Sequence, residues 1–368
     1  MVLRELSIVN YKNIAEAELE FSPKINGFLG RNGMGKSNLL DAVYYLSFCK
    51  SFNGVTDSMV ISRGENFTML RGVYERRGAK EEITAGLTVG KRKSFKRKGK
   101  EYQRLSEHIG SFPLVIVSPR DSDLITGASD ERRRLMDQVI SQSDTLYLDH
   151  LIRYGRALEQ RNKLLREHIV DHTLYEAVEL TMTISAGYIT DARHRWAERL
   201  QSIFEEYYGL IAGDGEPVAL TYQRPQLPLD RLLDQARRHD EIAGHTSVGP
   251  HRDDLSMEIA SMPARRVASQ GQCKTFTVAL RLAQYEFLRQ HSGLKPLLLL
   301  DDIFDKLDST RVERIMEIAR RDSIGQIFVT DTNRDHLDEI MSRMGGDYRL
   351  WEVESGRFTP IHPSTLTV

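Results

Sequence analysis

The chain has 368 residues, of which 40% are hydrophobic and 28% are charged, and its formal net charge is −1. This length allows two lobes and a sizeable core, and the near-zero charge excludes a global attraction to nucleic acid, so such binding needs local patches. The sequence contains no run of about 18 apolar residues, so it predicts no membrane span. It also shows no apolar core of a signal peptide. Cys49 and Cys273 are too few for a disulfide framework or a zinc cluster. We expect a cytoplasmic protein without a membrane partner.

In chain order, the first 120 or so residues predict mainly strands, because apolar and polar residues alternate in four segments. These segments are VLRELSIVNYKNI, EAELEFSP, FTMLRGVYER and EEITAGLTV. One helix interrupts them, beginning near residue 36. Helical patterns then dominate from Ser129 to Gly244.

The helical region carries an apolar stripe with steps of three or four residues or their multiples. Its members are Tyr147, Leu151, Tyr154, Leu158 and Leu165. The stripe is either a coiled-coil seam or a core-facing stripe, and its short length of barely three heptads favours the core. Beyond residue 245 the segments LKPLLLLDD and SIGQIFVTD predict buried strands, and TRVERIMEIARR and RDHLDEIMSRM predict helices. The fold class is therefore α/β: one lobe from residues 1–118 and 245–368, with a mainly helical lobe, 119–244, inserted.

The segment GRNGMGKS, Gly30 to Ser37, has the spacing of a phosphate-binding loop between a strand and a helix. Its glycines leave backbone N–H groups free to surround phosphate oxygens, and a helix starting at Lys36 points its positive end at them. Lys36, expected to be a surface cation, would serve the terminal phosphates, and Ser37 could bind Mg²⁺. The alternative is a glycine-rich turn before a helix. The residues assigned to ATP here are Gly30, Arg31, Asn32, Gly33, Met34, Gly35, Lys36, Ser37 and Asn38.

Two adjacent carboxylates end the apolar run PLLLLDD. Asp301 occupies the place of a carboxylate that orients Mg²⁺. Asp302 occupies the place of a catalytic carboxylate that polarises water, and Lys36 is the second catalytic residue. The alternative is a pair of acids in an ordinary strand-to-loop turn.

A third motif, Ser269-Gln270-Gly271-Gln272, stands directly before an apolar, helix-forming run. It resembles the signature motif of ABC-type ATPases, which implies a second phosphate-binding surface that grips the nucleotide of a partner subunit. A capped helix start with Ser269 as N-cap is also consistent with the sequence, since the same N–H groups serve both purposes.

The segments NYKNI, SPRDSDLITGASDERRRLMD, GPHRDDL, SQGQ and LLLLDD, in this order, resemble the bacterial RecF family, whose relatives are the SMC-like ATPase heads. The resemblance runs across essentially the whole chain. It implies a weak, DNA-stimulated ATPase that uses ATP and Mg²⁺, dimerises on ATP and binds double- and single-stranded DNA at gaps or junctions. It further implies action with RecR and RecO to help load RecA, and slow hydrolysis that resets the clamp.

The same resemblance places Lys12 and Asn13 near the phosphates and makes Asp308 the aspartate of the D-loop. The chain departs from the family pattern at Asp305-Lys306, where Ser-Glu is usual, and at Arg120, which leaves Asp121 as the matching carboxylate. The switch residue is either Thr330 or Asp331.

Local charge predicts where DNA binds. The run KRKSFKRKGK, residues 91–100, holds Lys91, Arg92, Lys93, Lys96, Arg97, Lys98 and Lys100 around Phe95. A solvated hairpin tip is the alternative. The segment ERRRLMD is a second DNA candidate, or its arginines tie the helical lobe to the ATPase lobe. The segment GPHRDDL is either a metal site or, as we favour, has a structural or inter-lobe salt-bridge role.

Three other function classes use similar heads. A transporter ATPase subunit needs a glutamine loop and a membrane partner, an SMC-type structural ATPase needs long coiled-coil arms, and a nuclease-linked ABC-type ATPase needs a further acidic metal domain. None of these features is visible in the sequence.

Overall fold

The structure, a computed structural model, describes residues 1–213, 215–304, 307–335, 337–338, 341 and 347–361. The chain forms two compact units. The first unit comprises Met1–Asp121, Leu210–Ala212 and the chain from Lys274 onward, and the second comprises Ser122–Gly209 and Gly213–Cys273. The fold is α/β, as predicted.

Within its described residues, the first unit contains a six-stranded antiparallel sheet in the order β2-β1-β4-β5-β6-β7. The strands are β1 (Val2–Tyr11), β2 (Ile14–Glu20), β4 (Phe67–Arg76), β5 (Ala79–Thr88), β6 (Ser94–Arg97) and β7 (Lys100–Glu101). The alternation along β4 and β5 explains their placement, since one face of the sheet is buried and the other meets solvent.

The described part of this unit also holds a second sheet in the order β15-β14-β3-β13-β12-β8. Its strands are β3 (Ile25–Leu29), β8 (Leu114–Val117), β12 (Leu297–Asp301), β13 (Ile327–Asp331), β14 (Tyr348–Glu354) and β15 (Arg357–Ile361). All neighbours are parallel except β14 and β15. In the sequence, the parallel strands β12 and β13 are mainly apolar, because both faces of the sheet are covered there.

Helix α1 (Lys36–Phe48) packs into one apolar core with both sheets. Its buried members include Leu39, Leu40 and Val43, beside Phe28 of β3 and Leu70 of β4. Nearly all of its side chains from Leu39 on are buried, as expected of a helix enclosed on several sides. The unit also contains α8 from Lys274 on (Gln270–Ser292), α9 (Ser309–Arg320) and short 3₁₀ turns at Asp57–Val60, Leu105–Glu107 and, up to Asp121, Pro119–Ser122.

The second unit is mainly helical. Its helices are α2 (Asp123–Thr126), α3 (Ser129–Ser143), α4 (Thr145–Arg166), α5 (His172–Ala212, up to Gly209), α6 (Leu229–Ala243) and α7 (Ala264–Val267). In α4, Tyr147, Tyr154 and Leu165 are buried, which confirms the core-facing interpretation of the apolar stripe.

A small sheet, β9 (Val218–Tyr222), β10 (Leu255–Ile259) and β11 (Met262–Pro263), completes the second unit in the order β11-β10-β9. In this sheet β10 pairs with β9, so the chain after residue 244 still belongs to the second unit, which extends to Cys273. The sequence placed the end of the helical lobe at residue 244. The reason is that a pairing between strands more than 30 residues apart leaves no mark on local periodicity. Among the described residues, no helix combines the length and apolar character that crossing a membrane requires. The predicted helix RDHLDEIMSRM lies partly outside the described residues.

Candidate nucleotide-binding site

The phosphate loop joins the end of β3 to the start of α1, so backbone N–H groups and a helix N-terminus converge there. Two of its glycines, Gly33 (φ +79°) and Gly35 (φ +118°), adopt left-handed backbone that residues with a Cβ rarely adopt. A Cβ on Gly35 would also lie 3.0 Å from the Asn13 side chain. The loop is therefore shaped by its glycines into an open cradle rather than an ordinary turn.

Lys36 is buried, with 4% of its surface exposed, which corrects the expectation of a surface lysine. Its Nζ donates to the carbonyl oxygens of Gly30 at 2.6 Å and Arg31 at 3.2 Å. These bonds hold the ammonium against the loop, because a buried cation requires partners for its protons. An anion arriving in the cradle would meet a cation that is already positioned.

Asp301 is brought to the loop by the strand order, since β13 lies between β3 and β12. Its Oδ1 accepts hydrogen bonds from Ser37 Oγ at 2.9 Å and from Thr330 Oγ1 at 2.8 Å. Burial raises the pKa of the Asp301 carboxyl above its ordinary value, and the bonds from Thr330 and Ser37 offset part of that rise. A hydroxyl and a half-buried carboxylate at this distance are hard oxygen donors that fit Mg²⁺.

Asp302 follows in left-handed backbone, with φ +46°. Its backbone N–H donates to Thr330 Oγ1 at 3.0 Å, so one buried hydroxyl holds both carboxylate residues. The neighbouring Asp331 instead supports the loop, because its carbonyl accepts the Gly30 N–H at 3.3 Å. Thr330 thus contacts both residues of the acidic pair, and the choice between Thr330 and Asp331 as switch residue stays a prediction.

The turn between β1 and β2 lies against the phosphate loop. Asn13 Nδ2 approaches the Gly33 carbonyl at 3.5 Å, and Asn38 donates to Asn13 Oδ1 at 2.7 Å. Lys12, by contrast, places its ammonium 2.6 Å from Asp41, a fully buried residue of α1. Sequence reasoning missed Asp41, although an acid in an otherwise apolar helix was a visible signal.

A second turn, between β14 and β15, closes the other side of the loop. The Gly356 N–H donates to the Met34 carbonyl at 2.7 Å. Any Cβ on Gly356 would collide with the Asn13 backbone, and one on Gly30 would collide with the Val353 carbonyl. Glycine at these two positions permits the close approach of three chain segments.

The signature residues, Ser269 to Gln272, form the start of α8, where Ser269 and Gln272 cap each other's backbone N–H groups. Ser269 Oγ accepts the Gln272 N–H at 3.2 Å, and Gln272 Oε1 accepts the Ser269 N–H at 2.9 Å, which is a capping box. Gln272 Nε2 also donates to Glu216 at 2.6 Å. Ser269 and Gln270 are solvent-accessible, and Gly271 is half-buried. The helix start is therefore ordered and accessible within the second unit.

The basic run forms a hairpin of β6 and β7 whose turn, Lys98–Gly99, has positive φ at both residues. Lys91, Arg92, Lys96, Lys98 and Lys100 are exposed.

Lys93 and Arg97 of the same run make internal contacts. Lys93 Nζ binds the Cys49 carbonyl at 2.7 Å and Asp57 at 2.9 Å, and Arg97 pairs with buried Glu81 at 2.6 Å. Phe95 is buried in the core. Five of the seven cations predicted to contact DNA are therefore exposed, although one of them, Arg92, also donates to the Gln103 carbonyl at 3.4 Å.

The remaining motifs form internal ion pairs. Arg132 of the ERRR segment pairs with Asp254 at 2.6 Å, and Arg193 contacts Asp253 at 3.3 Å. His251 Nδ1 lies 2.7 Å from the Tyr154 hydroxyl, and burial lowers the pKa of His251 to about 4. All these partners belong to the second unit, and no metal-binding cluster occurs among the residues that the structure describes. The structural interpretation of GPHRDDL is thus confirmed, and these ion pairs, including that of Arg132 in ERRRLMD, lie within one unit rather than between the lobes.

Two further assignments concern unit one. Asp121 is buried and accepts from Arg281 at 2.6 Å, and Asp308 caps α9 by accepting the Arg311 N–H at 2.9 Å. Asp305 and Lys306 lie outside the described residues.

Together, the sheet order, the phosphate loop and the Ser37–Asp301 contact define an ATPase head of the ABC/SMC type. The family described as RecF/RecN/SMC N terminal domain matches residues 2–349. The chain is 48% identical over 363 residues to the DNA replication and repair protein RecF of Parabacteroides distasonis, covering 98% of this chain and all of that protein. It is 49% identical over 360 residues to RecF of Bacteroides fragilis, covering 97% of each. The chain belongs to the RecF family.

Solved structures agree with this assignment. The recombination mediator protein RecF-ATP of the RecFOR pathway superposes with a TM-score of 0.88 at 28% identity, covering 98% of both chains. The Smc head domain derived from Pyrococcus furiosus has a TM-score of 0.58 at 18% identity, covering 98% of this chain and 96% of that one. The second likeness concerns the fold alone.

Proposed function

We propose that the protein is an ATP-dependent DNA-binding protein of recombinational repair and replication restart in the cytoplasm. It dimerises on ATP, binds gapped or junction DNA, and helps mediators equivalent to RecR and RecO load RecA. The observation that carries this proposal is the contact of Ser37 with Asp301 beside a glycine-shaped loop, in a chain similar to RecF proteins over its full length. That similarity favours this function over the transporter, scaffold and nuclease-linked alternatives.

ATP is held by Gly30 to Asn38, with Asn13 beside the loop. Lys36 exchanges its bonds with the Gly30 and Arg31 carbonyls for phosphate oxygens, and the Gly33 and Gly35 conformations keep backbone N–H groups directed at the anion. Lys12 contributes indirectly, since its pair with Asp41 fixes the turn that carries Asn13. Mg²⁺ would be held by Ser37 and Asp301 and would neutralise phosphate charge.

Hydrolysis is slow and is assigned to Asp302 and Lys36. The Thr330 hydroxyl fixes the backbone of Asp302. Asp302 directly follows Asp301, the carboxylate that would hold Mg²⁺. Asp302 orients and polarises the attacking water, and Lys36 stabilises charge on the transferred phosphoryl group. DNA stimulation of this weak ATPase would follow from dimer closure.

Dimerisation relies on Ser269, Gln270, Gly271 and Gln272. The accessible start of α8 presents backbone N–H groups and a positive helix end, which suit the phosphates of a nucleotide bound by a second copy. Each composite site would then need both chains. The D-loop role of Asp308 belongs to this same proposal, although its side chain caps α9.

DNA is proposed to contact the exposed cations of the basic hairpin. Phosphate contacts by lysine and arginine dominate such binding and make it dependent on salt. The five exposed cations are Lys91, Arg92, Lys96, Lys98 and Lys100.

The test is equilibrium binding to gapped duplex DNA with and without Mg-ATP, with oligomeric state measured by light scattering. We expect ATP to produce a dimer and to tighten DNA binding. Replacing the five exposed cations with serine should reduce the magnitude of the slope of log affinity against log salt. The expected reduction is about 0.9 for each duplex phosphate that is no longer neutralised. A monomer with ATP-independent DNA affinity would contradict the proposal.

A further inference from the structure

The solvent face of the first sheet carries an apolar pair beside the basic hairpin. On β4, Phe67 and Met69 expose 46% and 42% of their surfaces. Across from them on β5 stand Thr88 and Gly86, and nothing lies within 4 Å of a Cβ built on Gly86. Phe67 and Met69 therefore border a shallow open surface rather than a packed one.

Cations border this surface on the hairpin side. Gly86 pairs with Ser94 of β6, and Thr84, the next residue on the same face, pairs with Lys96. Neighbouring strands are about 4.8 Å apart, so the β6 backbone lies roughly 10 Å from that of β4. Lys91 follows Thr88 closely, since its N–H donates to the Thr88 carbonyl at 3.0 Å. We call Phe67, Met69, Gly86, Lys91 and Lys96 the sheet patch.

The β2 edge of the same face carries Glu16, Glu18 and Glu20, and Glu16 pairs with Val9, which is also the β1 partner of Met69. Cations pair with some carboxylates on this side of the face, since Lys80 lies 3.5 Å from Glu5 and Arg349 lies 3.2 Å from Glu20. Unpaired lysines thus lie on the hairpin side of Phe67 and Met69 and carboxylates on the β1–β2 side, so an anionic polymer would be drawn toward the hairpin side.

An exposed aromatic ring on a surface that also carries unpaired lysines is the arrangement that single-stranded nucleic acid requires. Its bases stack on aromatic side chains while cations contact the backbone, whereas the bases of a duplex are stacked on one another and do not reach such a ring. In the part of the chain that the structure describes, Lys91 and Lys96 form no ion pair.

We propose that the sheet patch binds the single-stranded segment of the DNA, with Phe67 stacking on one base, Lys91 contacting an adjoining phosphate and Lys96 contacting the backbone farther along the strand. The assignment rests on the proposed function and specifies which surface meets the unpaired strand. Its position is consistent with that role, because Val9 pairs with Met69 and β1 continues to the turn that carries Asn13 beside the phosphate loop.

The experiment compares a fluorescent oligothymidylate with a blunt duplex of equal length, using the full chain with Mg-ATP. Phe67→Ala should weaken single-strand binding about 5- to 150-fold, the range for one stacked base, and should leave duplex binding and the salt slope unchanged. Phe67→Trp should restore the affinity. The Lys91→Ser, Lys96→Ser double variant should lower the single-strand salt slope by about 0.7 for each phosphate that is no longer neutralised.

Leu180→Ala is the matched control, because Leu180 is an exposed apolar residue of the second unit, whereas the sheet patch belongs to the first. Unchanged single-strand affinity in Phe67→Ala would overturn the assignment and leave the patch to a protein partner. Equal losses on single strand and duplex would also overturn it. If the wild-type chain bound neither DNA, the proposed function itself would fail, and the two failures are thus distinguishable.

Discussion

The backbone N–H of Gly356 donates to the carbonyl of Met34 at 2.7 Å, which ties the β14–β15 hairpin to the middle of the phosphate loop. The same glycine packs against the Asn13 backbone, so three segments distant in sequence meet at one point. The loop geometry consequently depends on the β14–β15 hairpin as well as on its own glycines.

Gly356→Ala should therefore distort the phosphate loop. Both Gly356 (φ +79°) and Gly78 (φ +75°) have left-handed backbone, but nothing lies within 4 Å of a Cβ on Gly78. Gly78→Ala should cost about 1–2 kcal/mol from backbone strain alone. Gly356→Ala should cost more and should also weaken ATP binding, as measured by urea unfolding and calorimetric titration. Equal stability and intact ATP affinity in both variants would show that the contact is unimportant.

Lys36→Met should fold but lose stabilisation by ATP. The substitution keeps the aliphatic stem in its buried position and removes the ammonium that now binds two loop carbonyls. Wild-type protein with ligand at a hundredfold excess over Kd should gain about 2.7 kcal/mol. Lys93→Met is the control, since Lys93 also binds a backbone carbonyl, at 2.7 Å, but on Cys49. Thermal melts with and without Mg-ATP measure the difference, and an ATP response in Lys36→Met would refute the assignment.

The sequence located the residues that meet at the site better than the contacts that support them. Gly30 to Ser37 and Asp301 are named by short motifs whose spacing is fixed by the chemistry. Asp41 and Gly356 are not, because their roles come from contacts made only after folding with Lys12 and Met34. The basic run shows the same limit, since charge alone does not reveal that Arg97 faces buried Glu81.

Asp301 should make Mg²⁺ binding sensitive to acid. Burial raises the pKa of its carboxyl, so protonation begins at a higher pH than for an exposed aspartate, and the protonated form does not bind Mg²⁺. As pH falls through this raised pKa, Mg²⁺ affinity should fall, while the metal-free fold gains stability relative to the unfolded chain. Titration calorimetry across pH measures the first effect. Asp301→Asn should bind Mg-ATP weakly at every pH, and retention of the pH dependence would identify a different group.

Asp302→Asn should separate binding from hydrolysis. Asparagine tolerates the left-handed backbone at this position, so the bond from its N–H to Thr330 should persist. ATP and Mg²⁺ binding should remain, while steady-state phosphate release falls and the DNA complex lasts longer. If Asp302→Asn and Asp301→Asn behave alike in both assays, the division of roles between the two carboxylates is wrong.

Ser269→Arg tests whether the site is built from two chains. Ser269 caps α8 through its bond with Gln272, and removal of such a cap costs about 1 kcal/mol, so Ser269→Ala serves as the control for cap loss alone. The arginine variant should bind ATP as a monomer yet fail to dimerise, and hydrolysis and ATP-dependent DNA affinity should disappear together. Mixing it with Lys36→Ala should restore partial hydrolysis, because one intact loop can meet one intact signature in the heterodimer. Light scattering and phosphate release on the mixture measure this complementation. If Ser269→Arg abolishes ATP binding by the isolated monomer, or hydrolyses ATP normally, the signature does not act on a partner's nucleotide.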